Sequence, residues 1–274
     1  MLFLNRDLAF RLEDGLREGN RQVIESWNAL DSTVSMQAIE VDGGLAIYGG
    51  DGCPINEAVG LGMPSAVDEA TLREIEEFYE ANGHDTVIRV CPLAHPSLIG
   101  TVRKRGYVLG SFAYRWVLDL SSWESPLDEA DPRVRQAVSA EEMAWARAIC
   151  AGFEDADDVP EDRGVELEQA FFRMTGATPM IAIESGEPAA GGTVAMNHEV
   201  AALFGASTRL SYRRRGLQTA LLDARLRLAK GRGVSIATIE TEPDTHSQRN
   251  VERMGFRLAY AVAQMKRPQR RAGS

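Results

Sequence analysis

A strand, a basic turn closed by glycine, and a helix with one apolar face follow directly on one another between Ala201 and Gly231. The strand is Ala201–Thr208 and the turn is Tyr212-Arg213-Arg214-Arg215-Gly216. Leu217, Leu221, Ala224 and Leu228 recur at spacings of 4, 3 and 4, which predicts a helix over 217–230 that stops at Gly231-Arg232-Gly233. A β-branched strand is expected at 234–239, a short helix from Ser247 to Phe256, and a last strand at 257–265.

The turn carries chemistry as well as topology. The first N–H groups of a helix point outward unpaired, and the helix dipole adds partial positive charge there. Gly216 has no Cβ to keep a ligand off the backbone. Arg213, Arg214 and Arg215 add forked donors suited to phosphate. The N–H groups of residues 214–219, which include Leu217, Gln218 and Thr219, read as a diphosphate cradle. A solvated basic turn before an ordinary helix is the competing reading.

This order resembles the GNAT family of acyl-CoA-dependent N-acyltransferases. The family's diphosphate loop is an Arg or Gln, two residues, a Gly, one residue, then Gly or Ala. Arg213, Gly216 and Gln218 occupy those places. Gln218 departs from the small residue, so its side chain must point away from the phosphates or tighten the cradle. The short helix ending in Gly255-Phe256 is the second matching element, and the resemblance covers roughly residues 130–274. It implies an α+β (α/β/α) fold, a mixed and mostly antiparallel sheet flanked by helices. It also implies that the strand before the loop splays from its neighbour and receives the pantetheine arm of acetyl-CoA. The thioester then lies near Ala206, Ser207 and Thr208. The implied activity is transfer of an acetyl group to a primary amine of a small molecule or peptide.

The first half of the chain echoes the second. Ser97 to Tyr107 repeats the pattern of Ser247 to Phe256, and setting Tyr107 on Phe256 gives an offset of 256 − 107 = 149. The same offset lays the predicted helix Asp68–Asn82 on Leu217–Gly231 and the strand Thr86–Cys91 on Ser235–Glu240. Two tandem units are expected: a degenerate GNAT-like domain at 1–125 and a GNAT domain binding acyl-CoA at 130–274, joined by the polar stretch Ser121 to Pro132. The loop itself falls on Pro64-Ser-Ala-Val-Asp68-Glu69. Its arginines and glycine are gone, and carboxylates there repel a diphosphate. The first unit is expected to be structural.

Acyl transfer to an amine needs a neutral nucleophile, a polarised carbonyl and a departing thiolate. Glu240 and Glu242, near the end of the strand after the loop helix, are the candidate bases; alternation puts them on one face. Solvated strand-end carboxylates are the plainer reading. Many members of the family use a Tyr acid four residues before the Gly of Gly-Phe; here that position is Val251. Either the thiolate leaves without a protein acid, since a CoA thiol lies near the cysteine range, roughly 8.5–9.5, or a residue from elsewhere substitutes. Ser247 and Asn250 lie one turn apart, with Asn250 a candidate for the pantetheine amides. The acidic stretch 153–162 is either an attractor for an ammonium group or a surface loop.

Charge and cysteine usage exclude other classes. A net charge of −10 argues against nonspecific nucleic-acid binding and against an aminoacyl-transfer enzyme working on tRNA. Three cysteines without a CxxC argue against zinc, so no metal is expected, and they fit a reducing, cytoplasmic setting. Charges at Arg6, Asp7, Arg11, Glu13 and Asp14 interrupt any signal-peptide core, and no apolar run approaches membrane-spanning length. A CoA-binding sensor without turnover is the alternative to an enzyme.

Overall fold

A computed structural model describes residues 2–30, 35–161, 163–197 and 199–269. The elements run α1 (Arg6–Asn28), β1 (Gln37–Val41), β2 (Gly44–Tyr48), β3 (Ala58–Val59), α2 (Glu69–Ala81), β4 (Thr86–Val90), α3 (Pro96–Lys104) and β5 (Val108–Asp119). They continue with β6 (Val134–Gln136), α4 (Glu142–Phe153), α5 (Glu166–Arg173), β7 (Ala177–Glu184), β8 (Glu187–Asn197) and β9 (Val200–Thr208). The chain closes with α6 (Leu217–Gly231), β10 (Ile236–Thr241), α7 (His246–Arg253) and β11 (Arg257–Arg267).

Contacts divide the chain into two compact units that no single cut in the sequence reproduces. One holds Trp116–Leu258 with the end of α1; the other holds Phe3–Ile24, the chain up to Arg115, and the chain from Ala259 onward. The expected boundary between 125 and 130 therefore differs from the contact boundary at two strands. The reason is hydrogen bonding across long sequence separations. β11 pairs antiparallel with β4, from Ala263↔Val90 to Arg267↔Thr86. The end of β5 is held within the other unit: Thr238 Oγ1 donates to the Trp116 carbonyl at 2.8 Å, and the Leu120 N–H to Ser235 at 2.9 Å. The polar stretch after β5 is likewise strapped down. The Trp123 indole N–H donates to the Met254 carbonyl at 3.0 Å, and Arg227 donates to that of Leu127 at 2.7 Å.

In the unit containing α2, the strand order is β1-β2-β3-β4-β11. Its pairs are antiparallel except β3 with β4. Leu72, Ile75 and Tyr79 of α2 and Leu98 and Val102 of α3 bury one apolar face each in its core. In the unit containing α6, the order is β10-β9-β8-β7-β6, antiparallel except β9 with β10. Trp145, Ile149 and Cys150 of α4 pack with Ile181 in one core, and Leu217 and Leu221 of α6 with Met180 and Ala190 in another. In each unit the run of strands is mixed and mostly antiparallel, with helices against it.

The repeat is visible in the element starts. The differences are 217 − 69 = 148 for α6 and α2, 236 − 86 = 150 for β10 and β4, 246 − 96 = 150 for α7 and α3, and 257 − 108 = 149 for β11 and β5.

Candidate active site

The site begins with a fault in the sheet. β8 and β9 pair in register until Gly191↔Ser207, and resume at Thr193↔Phe204. Gly205 and Ala206 thus oppose the single residue Gly192, a β-bulge. Gly205 takes φ +57, the left-handed value that a bulge of this kind asks of a glycine. The bulge bends β9 away from β10. Their parallel pairing runs from Val200↔Ile236 to Leu203↔Ile239 and ends two residues before Gly205. Residues 204–208 and the end of β10 form a wedge, the splay expected from the sequence resemblance. Phe171 of α5 covers the bulge: a side chain on Gly205 would meet its ring at 3.1 Å, and that ring stands edge-on to Phe204 at 5.0 Å between centroids.

Beyond the wedge the chain turns into α6. Arg214 and Gly216 adopt φ +63 and +79 around Arg215, which curls successive N–H groups toward one side. Gly216 is the N-cap residue of α6 and offers no side-chain cap. Among the described residues, the N–H groups of 214–219 donate to no protein acceptor. A Cβ on Gly216 would meet nothing within 4 Å, so the space in front of the loop is open. The geometry is that of an anion cradle.

The three arginines play three parts. The Arg213 guanidinium donates to the Gly152 carbonyl at 2.7 Å and the Thr208 carbonyl at 3.2 Å, and pairs with Asp155 at 2.6 Å. Its side chain is a strut that ties the loop to the end of β9, to the end of α4 and to the chain just after it. Arg215 donates to the Ser211 carbonyl, pairs with Glu184 at 3.5 Å, and lies over the Tyr212 ring at 5.3 Å. Arg209 stacks on the same ring at 5.4 Å. Arg214 is exposed and has no ion pair among the described residues.

The acidic stretch resolves as the other half of this brace. The Asp157 carboxylate accepts from the Ser211 N–H at 2.7 Å, and the Ala156 carbonyl from Leu210 at 3.0 Å. The Ser211 N–H, with the neighbouring arginines, holds the Asp157 carboxyl below its usual range. Asp158 pairs with Arg147 at 2.9 Å and Glu154 with Arg163 at 2.7 Å. Four of its acids are thus committed to partners and do not wait for an ammonium group. Asp162 lies outside the described residues.

Gln218, the departure from the family loop, turns its amide to the Thr208 hydroxyl at 2.7 Å. It ties the start of α6 to the end of β9 and leaves the cradle clear. The Ser207 hydroxyl donates to the Ile149 carbonyl at 2.6 Å, so it faces α4. Ala206 is half-buried at the bulge. Glu240 is half-buried at the end of β10, but Glu242 lies past the strand and is exposed. The shared strand face expected for the two glutamates does not extend to Glu242. Thr245 caps α7 by accepting from the Gln248 N–H at 3.2 Å. Ser247 is exposed in its first turn, and Asn250 is half-buried and accepts from Arg253 at 3.3 Å. Val251, at the position of the family's acid, is fully buried in the core.

Residues 141–256 match the model of the acetyltransferase (GNAT) family. The chain carries a GNAT-family domain. This domain includes the bulge, the wedge, the loop and α7. Solved structures extend the likeness of fold to nearly the whole chain. A GCN5-related N-acetyltransferase from Kribbella flavida aligns with TM-score 0.65 and 17% identity, over 94% of this chain and 96% of that one. One from Sphaerobacter thermophilus gives 0.59 and 14%, over 90% and 84%. A tandem GNAT protein from the clavulanic acid biosynthesis pathway gives 0.58 and 14%, over 98% of both chains. At these identities the likeness is one of fold. No curated protein matches the chain by sequence.

At the corresponding place in the other unit, polar groups are bonded to one another. Asp68 caps α2 by accepting from the Thr71 N–H at 2.9 Å, and Ser97 accepts from the Val67 N–H at 2.8 Å. The offset of 149 puts Glu57 at the place of Ala206, and Glu57 is buried, bonded to Arg89 at 3.2 Å and Gln264 at 2.8 Å.

The sequence reading missed Arg225. A signal existed: four residues after Leu221, it falls on the buried face of α6.

Proposed function

We propose that the chain is an acetyl-CoA-dependent N-acetyltransferase acting on a primary amine of a small molecule or peptide. The observation that carries this reading is the wedge next to unbonded N–H groups 214–219. A diphosphate fits the cradle, with Arg214 as its side-chain partner. A pantetheine arm running from there along 204–208 replaces the strand hydrogen bonds that β10 does not make. Ala206, at the bulge, then stands beside the thioester. Asn250 of α7 is placed to meet the arm's amides. Glu240 is the base we favour over Glu242, since it is half-buried at the wedge. The first half of the chain serves as a degenerate second copy that binds no CoA, and we place the protein in the cytoplasm. No helix among the described residues is long and apolar enough to cross a membrane.

In transfer, the amine nitrogen attacks the thioester carbonyl and the C–S bond breaks with its electron pair on sulfur. The amine's proton leaves by way of Glu240 or water. The buried Val251 supplies no acid, so sulfur leaves as thiolate. The test is release of free CoA from acetyl-CoA with a panel of primary amines, alongside calorimetry with CoA. One CoA site per chain and amine-dependent turnover are expected. Absence of CoA binding refutes the reading, and binding without turnover across the panel favours a sensor.

A further inference from the structure

Arg225 is a cation with no exposed surface and no carboxylate partner among the described residues. Its Nε–H donates to the Leu221 carbonyl at 3.0 Å and its Nη1–H to the Thr193 carbonyl at 3.2 Å. Its Nη2 has no acceptor among the described residues. Burial alone pushes its pKa down, to about 9, so it remains charged at neutral pH. Stability by itself favours an apolar side chain at such a place, because a buried charge without a counter-ion is costly.

Its position is specific. Thr193, whose carbonyl it holds, is the residue where the β8–β9 register shifts. The guanidinium fills the room a side chain on Gly192 would need. A Cβ there would stand 3.0 Å from Nη1 and 2.8 Å from the Ala206 Cβ. The charge therefore lies directly behind the bulge, on the α6 side of the wedge wall.

We infer that Arg225 is a positioning residue for acyl transfer, pinning the bulge from behind and laying an uncompensated positive charge beneath the place where the thiolate leaves. This rests on the acyl-CoA reading above. As the nitrogen–carbon bond forms and the C–S bond breaks, the electron pair goes to sulfur and the ammonium proton to base or solvent. With no protein acid at position 251, sulfur departs as an anion. A fixed buried cation stabilises that anion without having to reorganise.

Several other charges around α6 are held in ion pairs, while Arg214 at its start is exposed without one among the described residues and Lys230 in its last turn donates to the Trp123 carbonyl. Arg133, just before β6, is bound to Asp131 and Arg135 of β6 to Glu141, and Glu184 of β7 to Arg133 and Arg215. Asp223 of α6 pairs with Arg227, whereas Glu252 of α7 accepts only from the neutral Gln248 amide among the described residues. Glu240 at the end of β10 carries charge of the opposite sign to Arg225.

The test titrates the thiol of CoA bound to the full-length protein by thiolate absorbance. In the wild type, bound CoA is expected to ionise at a pH lower than free CoA by about one. In Arg225→Met the difference should vanish, while the melting temperature holds or rises, since an unpaired buried charge has been removed. A bound wild-type thiol that titrates like free CoA overturns the inference without any variant. An unchanged shift in Arg225→Met overturns it equally. Failure of the wild type to bind CoA is a different result, which removes the acyl-CoA reading itself.

Discussion

Replacing Gly216 separates what the loop needs for folding from what it needs for its ligand. Gly216 sits at φ +79, where an L-residue costs about 1–2 kcal/mol. Nothing lies within 4 Å of the position a Cβ would take, so no clash adds to that strain. Gly216→Ala should therefore lower the melting temperature by about 2–8 °C and leave the fold intact. Gly216→Asp carries the same backbone strain and adds a negative charge facing the cradle. At about 5 Å and an effective dielectric of about 20, one charge on another is worth about 3 kcal/mol. CoA affinity should then fall at least about 100-fold in Gly216→Asp. The assays are thermal melts without ligand and calorimetry with CoA at two salt concentrations. Gly216→Asp that melts like Gly216→Ala yet binds CoA as tightly as wild type would refute the cradle.

The two neighbouring arginines should separate in the same calorimetry. Arg214→Met should weaken CoA binding by about tenfold and flatten its salt dependence, whereas Arg213→Met should lower the melting temperature because it breaks the strut to Asp155 and Gly152. Glu240→Gln should cut kcat by about 100-fold, with most of the loss recovered at high pH where the amine is already neutral, and Glu242→Gln should change little; the check is a pH–rate profile of each. A fragment of residues 130–274 should melt lower than the full chain or precipitate, since it loses the end of β5 and the Trp123 strap and strands the part of β11 that pairs with β4; calorimetric melting decides this. Arg135, with the Val138 N–H, holds the Glu141 carboxyl down to about 2. Its stabilising effect is thus present above the unfolded value of about 4.3 and lost as pH falls toward 2, so the deficit of Glu141→Gln in denaturant melts should shrink over that range.

The sequence by itself determined the parts whose signals are local. The helix 217–231 follows from a four-residue apolar spacing and a terminal glycine, and the loop from a glycine after three arginines. The offset of 149 was readable because each copy keeps the same short helix, glycine, aromatic residue and strand. Gln218 posed a choice the sequence left open, and its bond to Thr208 settled it. Only the tertiary structure decided which charges remain available. Arg213 meets Asp155 and Gly152 across about 60 residues, and Arg215 meets Glu184 across about 30, so three arginines alike in sequence become a strut, a stack and one open donor. The acidic stretch became a brace for the same reason. The bulge, the wedge and the cation behind it also belong to the fold. A register shift between two strands, and a guanidinium in the space of a missing side chain, arise only when β8, β9 and α6 are brought together. Periodicity reports which face of an element is buried, but the partner that face meets is set by pairings far apart in the chain.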